Sequence, residues 1–346
     1  MQFFSRTPTR LSAEAVNPNT KERYTRAVYA FILFTMHMGL VLSTPASVDH
    51  SMATYFDDLF EEGLGPGTGD VVFCSWMDAF PEYRPGDLPL SARSLRAWRR
   101  LKPHRGRHPL PWSVCCAIAA FVAAIPEAGA LAAIGILLLF DAYLRPYELL
   151  NMRWQDLLGP TGTFTTYAAI ICPLVSGRPS KTKVFDDSVR FNSKNRPQVN
   201  FLVMWMITYL SQARTDRIFP FTHQQLAAWY AQGVNFLGLQ AWGFVLYSCR
   251  HGGPSSDFAE LERTEQEIAD RGRWATLSSL RRYKQSGRLH VVLHNICPSV
   301  LAHCSKCESN LGILISKPRL MIAPSIDHAF SPPAPMPVGD EDVPLA

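Results

Sequence analysis

Apolar side chains recur along this chain at helical spacing first, then in long unbroken runs, then at strand spacing. Tyr24, Val28, Phe31, Ile32 and Met36 return every three or four residues, the period of one buried helix face. That helix is expected to begin near Asn19 or Thr20, with Thr20 as candidate N-cap and Glu22 in the first turn. A second helix is expected over residues 47–62, with Asp49 or Ser51 near its start. Gly63, Gly65 and Gly67 mark a turn region behind it. Further helices fit residues 70–80 and 92–100. After a loose start over 1–18, the chain to about residue 108 therefore reads as a small all-helical domain. His108-Pro109-Leu110-Pro111, with its two prolines, suits a boundary.

Two apolar runs follow, residues 114–125 and 128–140, separated by Pro126 and Glu127. Each is shorter than the roughly 20 residues that cross a bilayer. The second runs directly into Asp141 and Arg145. They are expected as two buried helices packed together, not as membrane spans. Residues 163–172 (TFTTYAAIIC) are rich in β-branched and aromatic side chains and suit a strand. A turn at 177–179 and one or two returning strands over 184–191 would complete a small sheet. Helical pattern returns over 198–213, 222–237, 257–270 and 278–286. From Lys317 onward proline dominates and periodicity vanishes, so a disordered tail is expected. The fold class is mainly α with a small β-sheet. Its divisions are 1–18, 19–108, 109–314 and 315–346.

Composition adds little until its distribution is considered. The chain has 346 residues, 47% of them hydrophobic and 18% charged, with a net charge of +5. That is ample for packed cores. The charge is concentrated in one place: Arg93, Arg96, Arg99, Arg100, Lys102, Arg105 and Arg107 follow one another with no Asp or Glu between them. Such a stretch can neutralise phosphates and release their counterions, or it can be a solvated linker. The first residues, MQFFSRTPTR, lack the apolar core and cleavage site of a secretory signal. The eight cysteines are irregularly spaced, which suits free thiols in a reducing compartment. Cys304 and Cys307 have C-x-x-C spacing, with Cys297 and His303 nearby. No second pair completes a familiar ligand set, so neither a metal nor another cofactor is expected.

Four segments carry the chemistry, in this order. The first holds Arg145 and Glu148, then Trp154 and Asp156; the second is Ser180-Lys181-Thr182; the third is Tyr247-Ser248-Cys249-Arg250-His251-Gly252-Gly253; the fourth is Arg271-Gly272-Arg273-Trp274, with Tyr283 nine residues after Trp274. Each has an ordinary reading on its own: Arg-x-x-Glu as a helix-surface ion pair, Trp274 as core, Tyr283 as a half-buried aromatic. Their order and spacing together resemble the tyrosine recombinases, the phage-integrase family that includes transposon-encoded enzymes. The likeness spans about residues 145–283. It implies a helical, SAM-like core-binding domain over 19–108 and an α+β tyrosine-recombinase catalytic domain over 109–314.

The resemblance also implies roles. Arg145 and Arg250 would clamp the non-bridging oxygens of a scissile phosphate, Tyr283 would be the nucleophile, and Lys181 would protonate the departing 5′ oxygen, with Lys183 as a rival two residues on. Tyr247 stands where the family usually has His, and Trp274 stands at the third box. Glu148 and His251 are supporting residues. The physics agrees with the roles of the arginines and the tyrosine. Guanidinium groups hold phosphate oxygens bidentately at any working pH, and a phenol becomes a competent nucleophile only as its proton leaves. The expected partner is double-stranded DNA, gripped by the basic stretch from Arg93 to Arg107, with four protomers assembling on paired sites. Residues 290–314 would dock between protomers. No membrane association is expected, and the place of action is wherever DNA is, the nucleus of a eukaryote or the cytoplasm of a bacterium. The alternatives are a mobile-element-derived DNA-binding protein without catalysis, and a type IB topoisomerase-like activity.

Overall fold

The computed structural model describes residues 16–103, 107–176, 185–211, 216–281 and 283–317. They fall into two compact units that divide between residues 103 and 107.

Four helices among the described residues build the first unit: α1 (Pro18–His37), α2 (Pro45–Glu61), α3 (Pro66–Ala79) and α4 (Pro89–Leu101). Each begins on a proline, whose fixed φ suits the first helical position and whose missing N–H costs nothing there. That rule corrects three expected starts. The α1 cap is Asn17, whose side chain accepts the Asn19 N–H at 3.0 Å, not Thr20. The α2 cap is Thr44, in a reciprocal capping box with Ser47. Gly67 lies inside α3, behind Pro66. Asp49 does not start α2. It is buried, and its carboxylate accepts the Leu90 and Ser91 N–H groups at 2.8 and 2.7 Å, capping α4 from a neighbouring helix. Phe31, Met52, Phe56, Trp76, Leu95 and Trp98 form the core.

The second unit is larger. The expected apolar runs are α5 (Trp112–Ala123) and α6 (Gly129–Asp141), both almost wholly buried. The short α7 (Pro146–Leu150) follows. Strands β1 (Leu157–Leu158), β2 (Ala168–Ile171) and β3 (Asp187–Arg190) form an antiparallel sheet in that order, with Ala169 opposite Val189. The strand expected over 163–172 is thus confined to its last part. Then come α8 (Pro197–Leu210), α9 (His223–Phe236), α10 (Leu246–Ala259), α11 (Glu265–Gly272), α12 (Leu277–Leu280), α13 (Ser286–Asn295), α14 (Pro298–Ser309) and α15 (Leu311–Ser316). Among the described residues no helix is long and apolar enough to cross a membrane.

Two expectations in this unit change. The single helix over 257–270 is two, because Leu261 turns left-handed at φ 52° and Thr264 starts α11 with its own capping box. The helix over 278–286 ends at Leu280, and Tyr283 lies in the turn before α13 rather than on a helix. Within the chain, Val292, Val300, Cys304, Cys307 and Leu311 share one core with α5 and α6.

Helix α10 runs straight through Gly252-Gly253-Pro254, a string that reads locally as a break. Close packing explains it. A Cβ on Gly252 would lie 2.2 Å from the Leu110 carbonyl oxygen, and one on Gly253 would lie 2.2 Å from that of Phe140. Only a bare backbone lets α10 approach these two chains so closely.

Candidate functional site

One face of α10 presents Tyr247, Arg250 and His251, three and four residues apart. Arg250 is fully buried and donates to two backbone carbonyls, those of Tyr143 and Gly272, the latter at 2.7 Å. Burial, together with the charges of Arg145 and Arg273 and against the pull of Glu148, drops its pKa to about 10. The Tyr143 carbonyl points there because Tyr143 adopts a left-handed backbone, φ 50°, at the end of α6.

Arg145 precedes Pro146, which holds it in the extended region, φ −79° and ψ 148°. Its N–H donates to Glu148 Oε2 at 2.8 Å and its Nη1 to Oε1 at 2.5 Å. The same carboxylate takes Nη2 of Arg273 at 2.7 Å and lies 3.9 Å from Nη1 of Arg250. Burial would raise the Glu148 pKa, but the three guanidiniums outweigh it and hold the carboxyl below its ordinary range. One negative charge thus sits among three positive ones, leaving an excess suited to an anion.

Tyr283 is fixed from several sides. Its hydroxyl is 3.0 Å from that of Tyr247. Its ring stacks on His251 at 4.6 Å and tilts against Trp274 at 4.5 Å. The Arg250 guanidinium lies 5.0 Å from the Trp274 ring centroid and 5.7 Å from that of Tyr283. Ser255 of α10 anchors the backbone of this turn, donating to the Tyr283 carbonyl at 2.6 Å and accepting the Gln285 N–H at 3.0 Å. Burial works to raise the Tyr283 pKa, but the Tyr247 hydrogen bond and the charges of Arg250 and Arg145 bring it below that of an ordinary phenol. Tyr247 moves the other way, chiefly because burial outweighs the Arg250 charge.

Behind this site runs a second layer of buried charge. Arg196 is buried between Asp141, at 2.9 Å from its Nε, and Asp257. Arg271 pairs with the other Asp141 oxygen at 2.8 Å, and Tyr143 donates its hydroxyl to Asp257. Burial would strip the Arg196 charge, but Asp141 and Asp257 more than compensate and raise its pKa. This layer ties together α6, α10 and the end of α11.

The structure brings Arg145, Glu148, Tyr247, Arg250, His251, Trp274 and Tyr283 into one cluster. Lys181 and its rival Lys183 lie outside the described residues, as does Arg105. Arg273, which stands between Gly272 and Trp274 in the sequence, joins this cluster. It caps α11 in the left-handed region, φ 58°, and turns its side chain onto Glu148. Gly272 has room for no side chain, since a Cβ there would strike the Trp274 ring at 1.9 Å. Sequence reading also missed Tyr143, Ser255, Arg196 and Asp257. The one available signal was Asp141, a carboxylate ending an apolar run that cannot be buried without a cation.

Of the basic stretch, Arg93, Arg96, Arg99 and Arg100 are exposed on α4 and line one shallow depression. Arg99 pairs with Asp70. Lys102 donates to the carbonyls of Gly63 and Leu64, closing the turn between α2 and α3. Arg107 departs from the group. Its guanidinium carbon lies 5.1 Å from the Tyr247 ring centroid, in the second unit.

Among the described residues no three His, Cys, Asp or Glu side chains are arranged to hold a metal ion. Cys307 meets His303 at 3.5 Å, and Cys304 and Cys297 are buried core thiols.

No protein-family profile matches the chain, and no curated protein matches it in sequence. Solved structures do match. The Tn1549 transposon integrase in complex with transposon right end DNA aligns at TM-score 0.53 and 15% identity, over 82% of this chain and 98% of that one. The XerH site-specific recombinase bound to difH substrate aligns at TM-score 0.52 and 14% identity, over 80% of this chain and 78% of that one. A lambda integrase dimer bound to a COC′ core site aligns at TM-score 0.51 and 13% identity, over 80% and 74%. The chain has the fold of the tyrosine recombinases.

Proposed function

We propose that this protein is a site-specific DNA recombinase or integrase of the mobile-element type. It cleaves and rejoins strands through a covalent 3′-phosphotyrosyl intermediate. The observation that carries the reading is the Tyr283 hydroxyl, held 3.0 Å from Tyr247 in a cluster with Arg145 and Arg250. The Tyr283 oxygen attacks phosphorus, a P–O bond to tyrosine forms, and the bond to the 5′ oxygen breaks. The Tyr283 proton leaves to water, while the Tyr247 hydroxyl donates a hydrogen bond to the oxygen that is left. Lys181 gives the 5′ oxygen its proton. Arg145 and Arg250 hold the charge that builds on the non-bridging oxygens, the kind of preorganised electrostatic aid that is usually the largest catalytic term. Arg273 and Glu148 position those two arginines. Attack by a second 5′ hydroxyl reverses the chemistry and joins the strands.

Double-stranded DNA is the partner, with Arg93, Arg96 and Arg100 on the phosphates and protomers self-associating on paired sites. The protein acts where that DNA is kept. A second reading has one observation in its favour. Tyr247 replaces an imidazole with a phenol whose pKa is raised, a poor proton shuttle at neutral pH. On that reading the chain binds DNA without cutting it.

A trapping assay separates the two. Nicked duplexes of randomised sequence lose the short fragment beyond the cut and strand the covalent adduct. The expected result is an adduct on a denaturing gel from wild type and none from Tyr283→Phe. Salt-sensitive binding with no adduct from either protein selects the non-catalytic reading.

A further inference from the structure

Residues 107–111 form a strap laid along α10. The Leu110 N–H donates to the Ser248 carbonyl at 3.4 Å, and Pro109, Leu110 and Pro111 are buried. The His108 ring meets Trp242 edge-on at 5.2 Å. Gly252 is glycine because the Leu110 carbonyl occupies the space of its Cβ. A strap fixed at these points places the residue at its head. That residue is Arg107, with its guanidinium over the face of Tyr247.

We propose that Arg107 is a further arginine of the strand-exchange site, set beside the Tyr247–Tyr283 phenol pair to hold negative charge there as the Tyr283 proton leaves. The inference rests on Tyr283 being the nucleophile. Arg145 and Arg250 already share Glu148, whose carboxylate offsets part of their charge. Arg107 reaches the phenols from a different segment, and a cation over an aromatic face is attractive in its own right. Arg107 and the two tyrosines also feel each other electrostatically. Burial lowers the arginine's pKa, and Tyr247 and Tyr283 push back against that fall. A fixed guanidinium over Tyr247 brings positive charge to the phenol pair without needing to titrate. This assignment moves Arg107 from the DNA-backbone group to the chemistry.

Among the described residues, groups acting on Tyr283 include Tyr247, Arg250 and His251 from α10, Arg145 at the head of α7, and Arg107, with Arg288 of α13 close to His108. Lys284, next in sequence, pairs with Glu265. The test needs no DNA. The full chain, labelled at tyrosine Cζ, is titrated by carbon NMR, and the Tyr283 signal is assigned by its loss in Tyr283→Phe. Arg107→Gln is expected to raise the Tyr283 midpoint by a few tenths of a pH unit or more, since a nearby cation favours the phenolate. Arg107→Lys restores most of the shift. A midpoint unchanged in a folded Arg107→Gln protein overturns the proposal, as does an equal rise in Arg107→Lys, which would mean that shape rather than charge is at work. The adduct assay keeps the two claims apart. A shifted midpoint with no adduct from wild type upholds the charge relationship and removes the nucleophile. An adduct with no shift removes Arg107 and leaves the recombinase reading standing.

Discussion

The hydroxyls of Tyr247 and Tyr283 lie 3.0 Å apart, one on a rigid helix and the other in a turn. The pair divides the work of one proton. Tyr247, its pKa raised by burial, keeps its hydrogen and donates it, while Tyr283, its pKa lowered despite burial, is the one that ionises. Removing the donor should therefore raise the Tyr283 pKa. Adduct formation by Tyr247→Phe is expected to need a higher pH than wild type, with the same plateau DNA affinity. Tyr247→His, which brings a group titrating near neutrality, is expected to speed adduct formation at pH 7 by about tenfold or more, within the usual range for general acid–base catalysis. Rates measured from pH 6 to 10 check both. A Tyr247→Phe profile that overlays wild type would remove the hydrogen bond from the mechanism.

Glu148 holds the arginine cluster together, and its loss should show in stability before it shows in rate. Its folded pKa lies below the ordinary carboxylate range because Arg273, Arg250 and Arg145 outweigh its burial. A depressed carboxylate stabilises the fold above its unfolded pKa, and that contribution fades as pH falls through the folded value. Glu148→Gln leaves buried guanidiniums without their counter-ion, which typically costs about 3–5 kcal/mol. Urea midpoints at pH 7 should fall in the variant. On acidification the gap from wild type should narrow. A constant gap from pH 7 to pH 3 would show that the carboxylate charge is not the cause.

Gly252 and Gly253 are tests of packing alone. Either change to Ala drives a methyl into a backbone carbonyl, that of Leu110 or Phe140, which cannot swing aside as a side chain tip could. Overpacking of this kind costs about 1–3 kcal/mol or more. Thermal melts are expected to show each variant less stable, although alanine is the better helix former. A stabilised Gly252→Ala protein would mean that the strap is not seated on α10 in solution.

The α4 arginines should not be equivalent. Arg93, Arg96 and Arg100 are exposed, whereas Arg99 pairs with Asp70 and Lys102 closes the turn behind α2. Each of the first three, changed to Ala, is expected to weaken binding to any duplex and to reduce the slope of log K against log salt by about one. Arg99→Ala should change that slope less, and Lys102→Ala should lower stability as well. Filter binding between 50 and 200 mM salt, with melting curves for each variant, separates these outcomes.

The sequence by itself determined the helix-rich class, the two buried apolar helices and the spacing of the site. Those properties are written locally: the periodicity of Tyr24 to Met36, the run before Asp141, the interval from Trp274 to Tyr283. Strand and helix limits drifted because prolines and a distant cap set them. Pro18, Pro45 and Pro66 opened their helices earlier than the polar signals did, and Asp49 capped a helix 41 residues downstream. What only the tertiary structure decided is which charges meet. Arg107 and Lys102 look alike in the basic stretch, yet one lies over a tyrosine of the site and the other caps carbonyls of its own unit. Arg273 carries no local sign of its partner, Glu148, 125 residues away. Gly252-Gly253-Pro254 is poor helix sequence taken locally, and α10 passes through it with two backbone carbonyls pressed against the bare glycines. Periodicity reports which side of an element is buried. It carries no information about what lies across the gap, and that is where an ion pair or a close backbone approach is made.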